Sequence, residues 1–180
     1  MIFSMTVSLD GFVAAPDGSI DWSAPDEELH QFHNDRVREL GAHLLGRRLY
    51  ETMLYWDTPP PDAGPVEQEF AAIWQPLPKV VFSSTLSSVS GNYRLASGGI
   101  AEEVERLRAE VDGDIGVGGA ELAAECTRLG LIDEYELFVS PIVLGGGTPY
   151  FPPLEQRVPL ELVETRTFSS RVVYLHYRRA

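Results

Sequence analysis

One pattern recurs along this chain and leaves few architectures open to it. A short apolar run is closed by small or polar residues, and a stretch with helical spacing follows. His43-Leu44-Leu45 runs into Gly46-Arg47-Arg48, with a helix opening near Leu49. Asp114 to Val117 runs into Gly118-Gly119, with a helix from Ala120 to Leu129 that stops at Gly130. Lys79-Val80-Val81-Phe82 is a third such run, closed by Ser83-Ser84. Continuous apolar strands alternating with helices predict a mostly parallel sheet with helices on both faces. Leu160 to Phe168 and Arg171 to Tyr177 follow each other without a helix between them, so they predict a closing antiparallel pair.

The remaining segments fit around that frame. Met1 to Leu9 is apolar and β-prone, and it ends at the turn signal Asp10-Gly11. Residues 10–22 read as a loop. Ser23-Ala24-Pro25-Asp26 resembles a capping box, ahead of a helix that carries Leu29, Phe32, Val37 and Leu40 and that Gly41 is expected to stop. Residues 57–65 are rich in proline and read as a surface loop. Tyr93 to Ala96 and Tyr135 to Val139 read as strands; Ile100, Val104, Leu107 and Val111 share one helical face. Pro141 to Pro153 is a Gly/Pro-rich connection. No repeat and no composition break divides the chain, so residues 1–180 are expected to form a single domain.

Charge and cysteine usage narrow the function. The net charge is −13, the wrong sign for a protein that grips nucleic acid. It would also repel an anionic cofactor at long range, so any phosphate site must be built locally. Cys126 is the one cysteine, which excludes an internal disulfide and suits a reducing compartment. No apolar run approaches the ~20 residues of a membrane span, and the start of the chain lacks a basic signal-peptide region. The expectation is a cytoplasmic protein with neither membrane nor nucleic-acid partner. The four histidines show no metal spacing with Cys126 or with one another, and no metal is expected.

In an open α/β sheet, ligands bind beyond the carboxyl ends of the strands. Three polar, tight segments fall there: Gly46-Arg47-Arg48, Ser83-Ser84 and Gly118-Gly119. Helix N-termini offer free N–H groups to phosphate, arginine adds charge, and serine adds neutral donors. Each segment is also ordinary turn chemistry by itself. Together they suit a ligand with several phosphates. Neither a Gly-x-Gly-x-x-Gly fingerprint nor a P-loop is present.

These residues are similar to those of the dihydrofolate-reductase-like superfamily. Within it they resemble the family of the reductase domain of the riboflavin-biosynthesis deaminase-reductase. The matching motifs are Ser8-Leu9-Asp10-Gly11, Asp21-Trp22, the run Leu44 to Glu51, Val80 to Leu86, Gly116 to Leu122, Leu131 to Tyr135, Pro141 to Gly147, and Tyr150-Phe151. They stand in family order, and the closing strand pair extends the match nearly to the end. The resemblance implies a dihydrofolate-reductase-like three-layer fold. The implied function is NADPH-dependent reduction of a C=N bond in a pterin-like or pyrimidine-like molecule. The alternative is a ligand-binding relative that keeps the cofactor pocket without turnover. A homodimer is implied as well.

By the same resemblance, Gly46, Arg47 and Arg48 meet the cofactor phosphates, with Arg47 nearest the 2′-phosphate. Ser83 and Ser84 lie by the adenosine ribose and its 2′-phosphate. Val117, Gly118, Gly119, Ala120, Glu121 and Leu122 bring a strand end and helix start under the pyrophosphate and nicotinamide ribose. The Gly118–Gly119 peptide is implied to be cis. Leu49 stands where a threonine is often found. For catalysis the pattern of acid, Leu, two residues and Phe points to Glu28, with Trp22 as a wall near the nicotinamide and Asp10 as a ligand contact. Glu28 equally suits a helix dipole, Trp22 a core, and Asp10 a turn. Val117 stands where riboflavin-pathway reductases usually carry an acid, and Ile20 where they carry a serine. Tyr50 to Trp56 replaces their Asp-Pro-x-Leu-Thr-x-Arg stretch. These departures argue against a phosphoribosyl substrate.

Overall fold

The computed structural model describes residues 1–154 and 157–180. Eight strands form one sheet. Along the chain come β1 (Ile2–Ser8), β2 (Phe12–Ala14), α1 (Glu27–Arg38), β3 (Leu40–Gly46), α2 (Arg47–Met53), α3 (Pro65–Trp74), β4 (Lys79–Phe82) and β5 (Tyr93–Leu95). They are followed by α4 (Ile100–Glu110), β6 (Asp114–Gly118), α5 (Ala120–Arg128), β7 (Glu134–Ser140), β8 (Thr148–Pro149), β9 (Leu160–Thr167) and β10 (Val173–Arg179). The sheet order is β5-β4-β3-β6-β1-β7-β10-β9, and β2 and β8 form a separate antiparallel pair. The first six strands of that order are mutually parallel; β10 and β9 are antiparallel. The expected α/β sheet, with its helices and closing pair, is therefore present.

Alternation along the strands sorts side chains into two layers. Phe3, Val7, Leu44, Val80 and Val117 pack with Val104 and Leu107 of α4 and with Ala123 and Cys126 of α5. On the opposite face Leu45 and Val81 meet Phe70 and Trp74 of α3, while Phe138 and Tyr174 meet Leu29 of α1. Cys126 is fully buried in the first layer, and burial pushes its thiol up to about 12. Three interactions fix α1. Asp26 caps it by accepting from the Leu29 N–H at 2.9 Å. The buried carboxylate of Glu136 accepts from Arg36 Nε (3.0 Å) and from the Tyr174 hydroxyl (2.8 Å), tying the helix to β7 and β10.

The structure corrects several local expectations. The cap of α1 is Asp26, not Ser23. Gly41 does not stop α1, which ends at Arg38; it lies in β3, where a Cβ would come 2.0 Å from the Asp112 carbonyl oxygen. The glycine answers a chain crossing rather than a helix end. Helix α3 escaped the periodicity because its first residue, Pro65, closes the proline-rich stretch. There proline serves as a helix start, and Glu67 reaches back to the Gly64 N–H at 2.7 Å. The β2–β8 pair escaped it too, because its strands are short and their partners lie far apart in sequence.

Candidate active site

Strands β4, β3 and β6 are neighbours, and their register aligns their carboxyl ends. Gly46 pairs with Phe82, and Leu45 with Gly118. The turns that follow are therefore side by side: Gly46 into α2, Ser83-Ser84 after β4, and Gly119 into α5. Arg47 and Arg48 are exposed. Their nearest acids are Glu51 at 3.7 Å and Glu121 at 3.9 Å, distances too long for hydrogen bonds, so both guanidinium groups are free to re-pair. Ser83 Oγ accepts from the Thr85 and Leu86 N–H groups at 3.1 and 3.0 Å and so orders its own turn, while Ser84 is exposed. Val117 and Leu122 are buried and frame the α5 turn from below; Ala120 is half-buried and Glu121 exposed.

The two glycines of this turn serve different ends. A Cβ on Gly118 would lie 2.2 Å from Leu49 Cδ2 and 3.0 Å from His43 Cε1, so its bareness makes room for packing. Gly119 has φ +92° and ψ 119°, a conformation L residues rarely adopt. A Cβ there would stand 3.6 Å from the Gly46 nitrogen, over the place where the starts of α2 and α5 meet. No peptide bond among the described residues is cis, contrary to what the resemblance implied for Gly118–Gly119; the positive φ of Gly119 makes the turn.

A second opening lies beside β1. This strand pairs with β7 through all seven of its residues but with β6 only through Ile2 and Phe3. Beyond Phe3 its β6-side edge has no strand partner among the described residues. Phe3, Met5 and Val7 face the α4/α5 layer, so Ser4, Thr6 and Ser8 face α1. Ser4 and Thr6 remain partly exposed although β1 is central in the sheet. That combination describes a cleft over the second half of β1. At its mouth Ser8 Oγ donates to Asp10 Oδ1 at 2.6 Å, and Asp10 accepts from the Leu144 and Gly145 N–H groups at 3.1 and 2.8 Å. The Ser8 hydroxyl foremost, then these backbone groups, lower the Asp10 pKa. Asp10 thus anchors the glycine-rich loop to the end of β1. Trp22 sits half-buried in a single 3-10 turn between β1 and α1, its indole N–H donating to the Ser19 carbonyl at 3.4 Å.

Glu28 is placed away from these turns. Its carboxylate accepts from the Ser169 N–H (3.0 Å), the Ser169 hydroxyl (2.7 Å) and Arg166 Nη2 (2.9 Å), on the flank over the β9–β10 hairpin. The two Ser169 donors and Arg166 hold its pKa down to about 2, so at neutral pH it carries no proton to donate. The α1 residues that turn inward are others. His33 packs on Phe138 with ring centroids 4.2 Å apart, and His30 meets Trp56 edge-on at 5.6 Å. Ser4, Thr6, His33 and Trp56 are site candidates that the sequence pattern did not single out. The available signal was the helical spacing of His33 with Leu29 and Arg36.

The model of the RibD C-terminal domain matches residues 1–174. The chain belongs to the RibD C-terminal domain family. It is 34% identical over 179 residues to the uncharacterized protein YyaP of Bacillus subtilis, covering 98% of this chain and 93% of that one. Its fold is similar to that of a protein from Shewanella sp. PV-4 described as a riboflavin-biosynthesis protein (TM-score 0.80, 23% identity, 99% and 98% of the two chains covered). It is also similar to dihydrofolate reductase from Enterococcus faecalis complexed with NADP(H) (TM-score 0.63, 15% identity, 99% and 96% covered). The RibD-type membership and the dihydrofolate-reductase-like fold are thereby established, and they support a function of reductase type.

Proposed function

We propose that this protein is an NADPH-dependent reductase acting on a C=N bond of a flat, pterin-like or pyrimidine-like heterocycle. The observation that carries the reading is the convergence of three turns at adjacent strand ends: two helix starts, with Gly119 between them and two under-used arginines beside them. The Enterococcus dihydrofolate reductase, which shares this fold and was solved with NADP(H), supports the choice of cofactor. Arg47 and Arg48 would grip phosphate, with Arg47 at the 2′-phosphate. Ser83 and Ser84 would flank the ribose. The start of α5, from Ala120 through Leu122 behind Val117-Gly118-Gly119, would lie under the pyrophosphate. The bound nicotinamide supplies the hydride. The chain's own groups orient its ring at the cleft beside β1, and the segment holding Asp10 and Trp22 shields the mouth. With Glu28 ionised and engaged elsewhere, the proton comes from water admitted to the cleft.

Titration with NADPH, followed by fluorescence, tests the cofactor half. The Arg47→Ala/Arg48→Ala variant should lose about 10- to 100-fold in NADPH affinity, corresponding to one or two charge-assisted contacts, and far less in NADH affinity. Equal losses for both cofactors would remove the 2′-phosphate assignment, and no NADPH binding by the wild type would end the reading. Tight NADPH binding with no oxidation of the cofactor against dihydrofolate or pyrimidine substrates would favour the binding-protein alternative. Assembly as a homodimer is part of the same proposal. Strand β9 is a sheet edge that leaves Leu162 and Val163 exposed, an apolar surface that a second copy would cover.

A further inference from the structure

The cleft over β1 has a floor and one wall whose chemistry can be read. On the floor are Ser4 and Thr6 from β1, both partly exposed. The wall is α1, which runs antiparallel to the strands, with Arg36 over Glu136 and His33 over Phe138. Thr6 is the cross-strand partner of Phe138, so the His33 ring lies beside Thr6 on the same face of the sheet. Among the described residues no protein group hydrogen-bonds either nitrogen of His33, and neither nitrogen is sealed from solvent. A half-buried imidazole packed on an aromatic ring, with both polar atoms unmatched, is set to bond something that enters the cleft. Burial first, then the neighbouring His30, pushes its pKa down to about 4, so the ring entering such a contact is neutral, with one donor and one acceptor.

Four carboxylates on or beside this wall are already engaged. Glu136 binds Arg36 and Tyr174, Glu28 binds Arg166 and Ser169, Glu67 binds the Gly64 N–H, and Glu69 binds Asn34 and Gln31. A ring that docks as a cationic amidine needs a free carboxylate opposite it, since two charge-assisted bonds hold such a group. A neutral imidazole instead matches an uncharged ring that presents a carbonyl or a ring N–H.

We propose that His33 is the specificity-determining residue on α1, touching the substrate directly, and that it selects uncharged carbonyl-bearing heterocycles over cationic amidines. The inference rests on the reductase reading for the place of the substrate, but its test does not need turnover. Two probes separate the chemistries: pteridine-2,4-dione, a neutral fluorescent ring with carbonyl and N–H groups, and 2,4-diaminopyrimidine, which binds carboxylates as a cation. Affinities are measured with and without saturating NADPH. The wild type should bind the dione and bind the diaminopyrimidine at least tenfold more weakly.

His33→Ala should weaken the dione about tenfold, the loss of one or two neutral hydrogen bonds. His33→Asn, which keeps a donor and an acceptor, should restore part of that affinity, and His33→Asp should reverse the preference. Glu28→Gln should change neither affinity. Circular dichroism and an unchanged NADPH affinity certify that each variant is folded. Dione affinity unmoved in folded His33→Ala, binding of neither probe, or a diaminopyrimidine preference abolished by Glu28→Gln would each overturn the proposal. Failure of NADPH to bind, with the His33-dependent preference intact, would refute the cofactor assignment and leave this one standing.

Discussion

The two glycines that end β6 allow a sharp test, because the structure gives them different reasons for being glycine. In Gly118→Ala the new Cβ would stand 2.2 Å from Leu49 Cδ2, against the roughly 3.5–4.0 Å of an ordinary carbon contact. Leu49 is half-buried, so it can give way in part, and the expected cost is that of overpacking, about 1–3 kcal/mol. Leu49→Ala alone should cost about 2 kcal/mol, the low end for losing a leucine side chain, since the site is not fully buried. Combined, the alanine methyl occupies space the leucine has left, and the double variant should be at least 1 kcal/mol more stable than the sum of the two predicts. In Gly119→Ala the nearest atom to the new Cβ is 3.6 Å away, so packing is not at issue. The cost is backbone strain at φ +92°, about 1–3 kcal/mol, and Leu49→Ala should add to it without rescue. Urea unfolding of the five variants and the wild type, with m-values held constant, measures both cycles. Additivity of Gly118→Ala with Leu49→Ala would refute the packing account. An equal rescue of Gly119→Ala would refute the distinction between the two positions.

Two further predictions concern buried carboxylates. Glu136→Ala removes the group that joins Arg36 to Tyr174 and strips a partly buried guanidinium of its buried partner; it should cost about 3–5 kcal/mol in equilibrium unfolding. Glu103 is fully buried between β5 and α4. Burial alone would raise its pKa, but Arg94 at 2.7 Å and the Ser97 N–H at 2.7 Å outweigh it and hold the group at about 2. Its folded-state pKa lies below its ordinary value of 4.5, so the unfolded chain binds the proton first as pH falls. The stabilisation is complete above pH 4.5 and is lost as pH drops toward 2. Unfolding midpoints across that window should fall less steeply in Glu103→Gln than in the wild type, and equal slopes would contradict the assignment.

How far the chain could be read in advance follows from the range of each interaction. Strand β3 with its Gly46-Arg47-Arg48 turn, and β6 with its glycine pair, were legible because apolar runs, turn glycines and helix starts are encoded within a few neighbouring residues. Helix α3 was hidden by one such local signal read the wrong way: Pro65 closes a loop in sequence and opens a helix in space. Gly41 looked like a helix end because local pattern cannot register the Asp112 carbonyl that passes over it.

Local patterning was enough to give an α/β chain with a closing antiparallel pair, and to mark the small and basic segments that end its strands. Which of these segments touch is set by long-range strand pairing. Sheet order sets β4, β3 and β6 side by side, and that order depends on pairings between distant strands. The same is true of Glu28, whose partners Arg166 and Ser169 lie 138 and 141 residues away and whose carboxylate they claim. A first-turn glutamate looks identical in sequence whether it faces a cleft or a hairpin. The side chain's direction, and with it the proton it holds or lacks, is set by what packs against the helix.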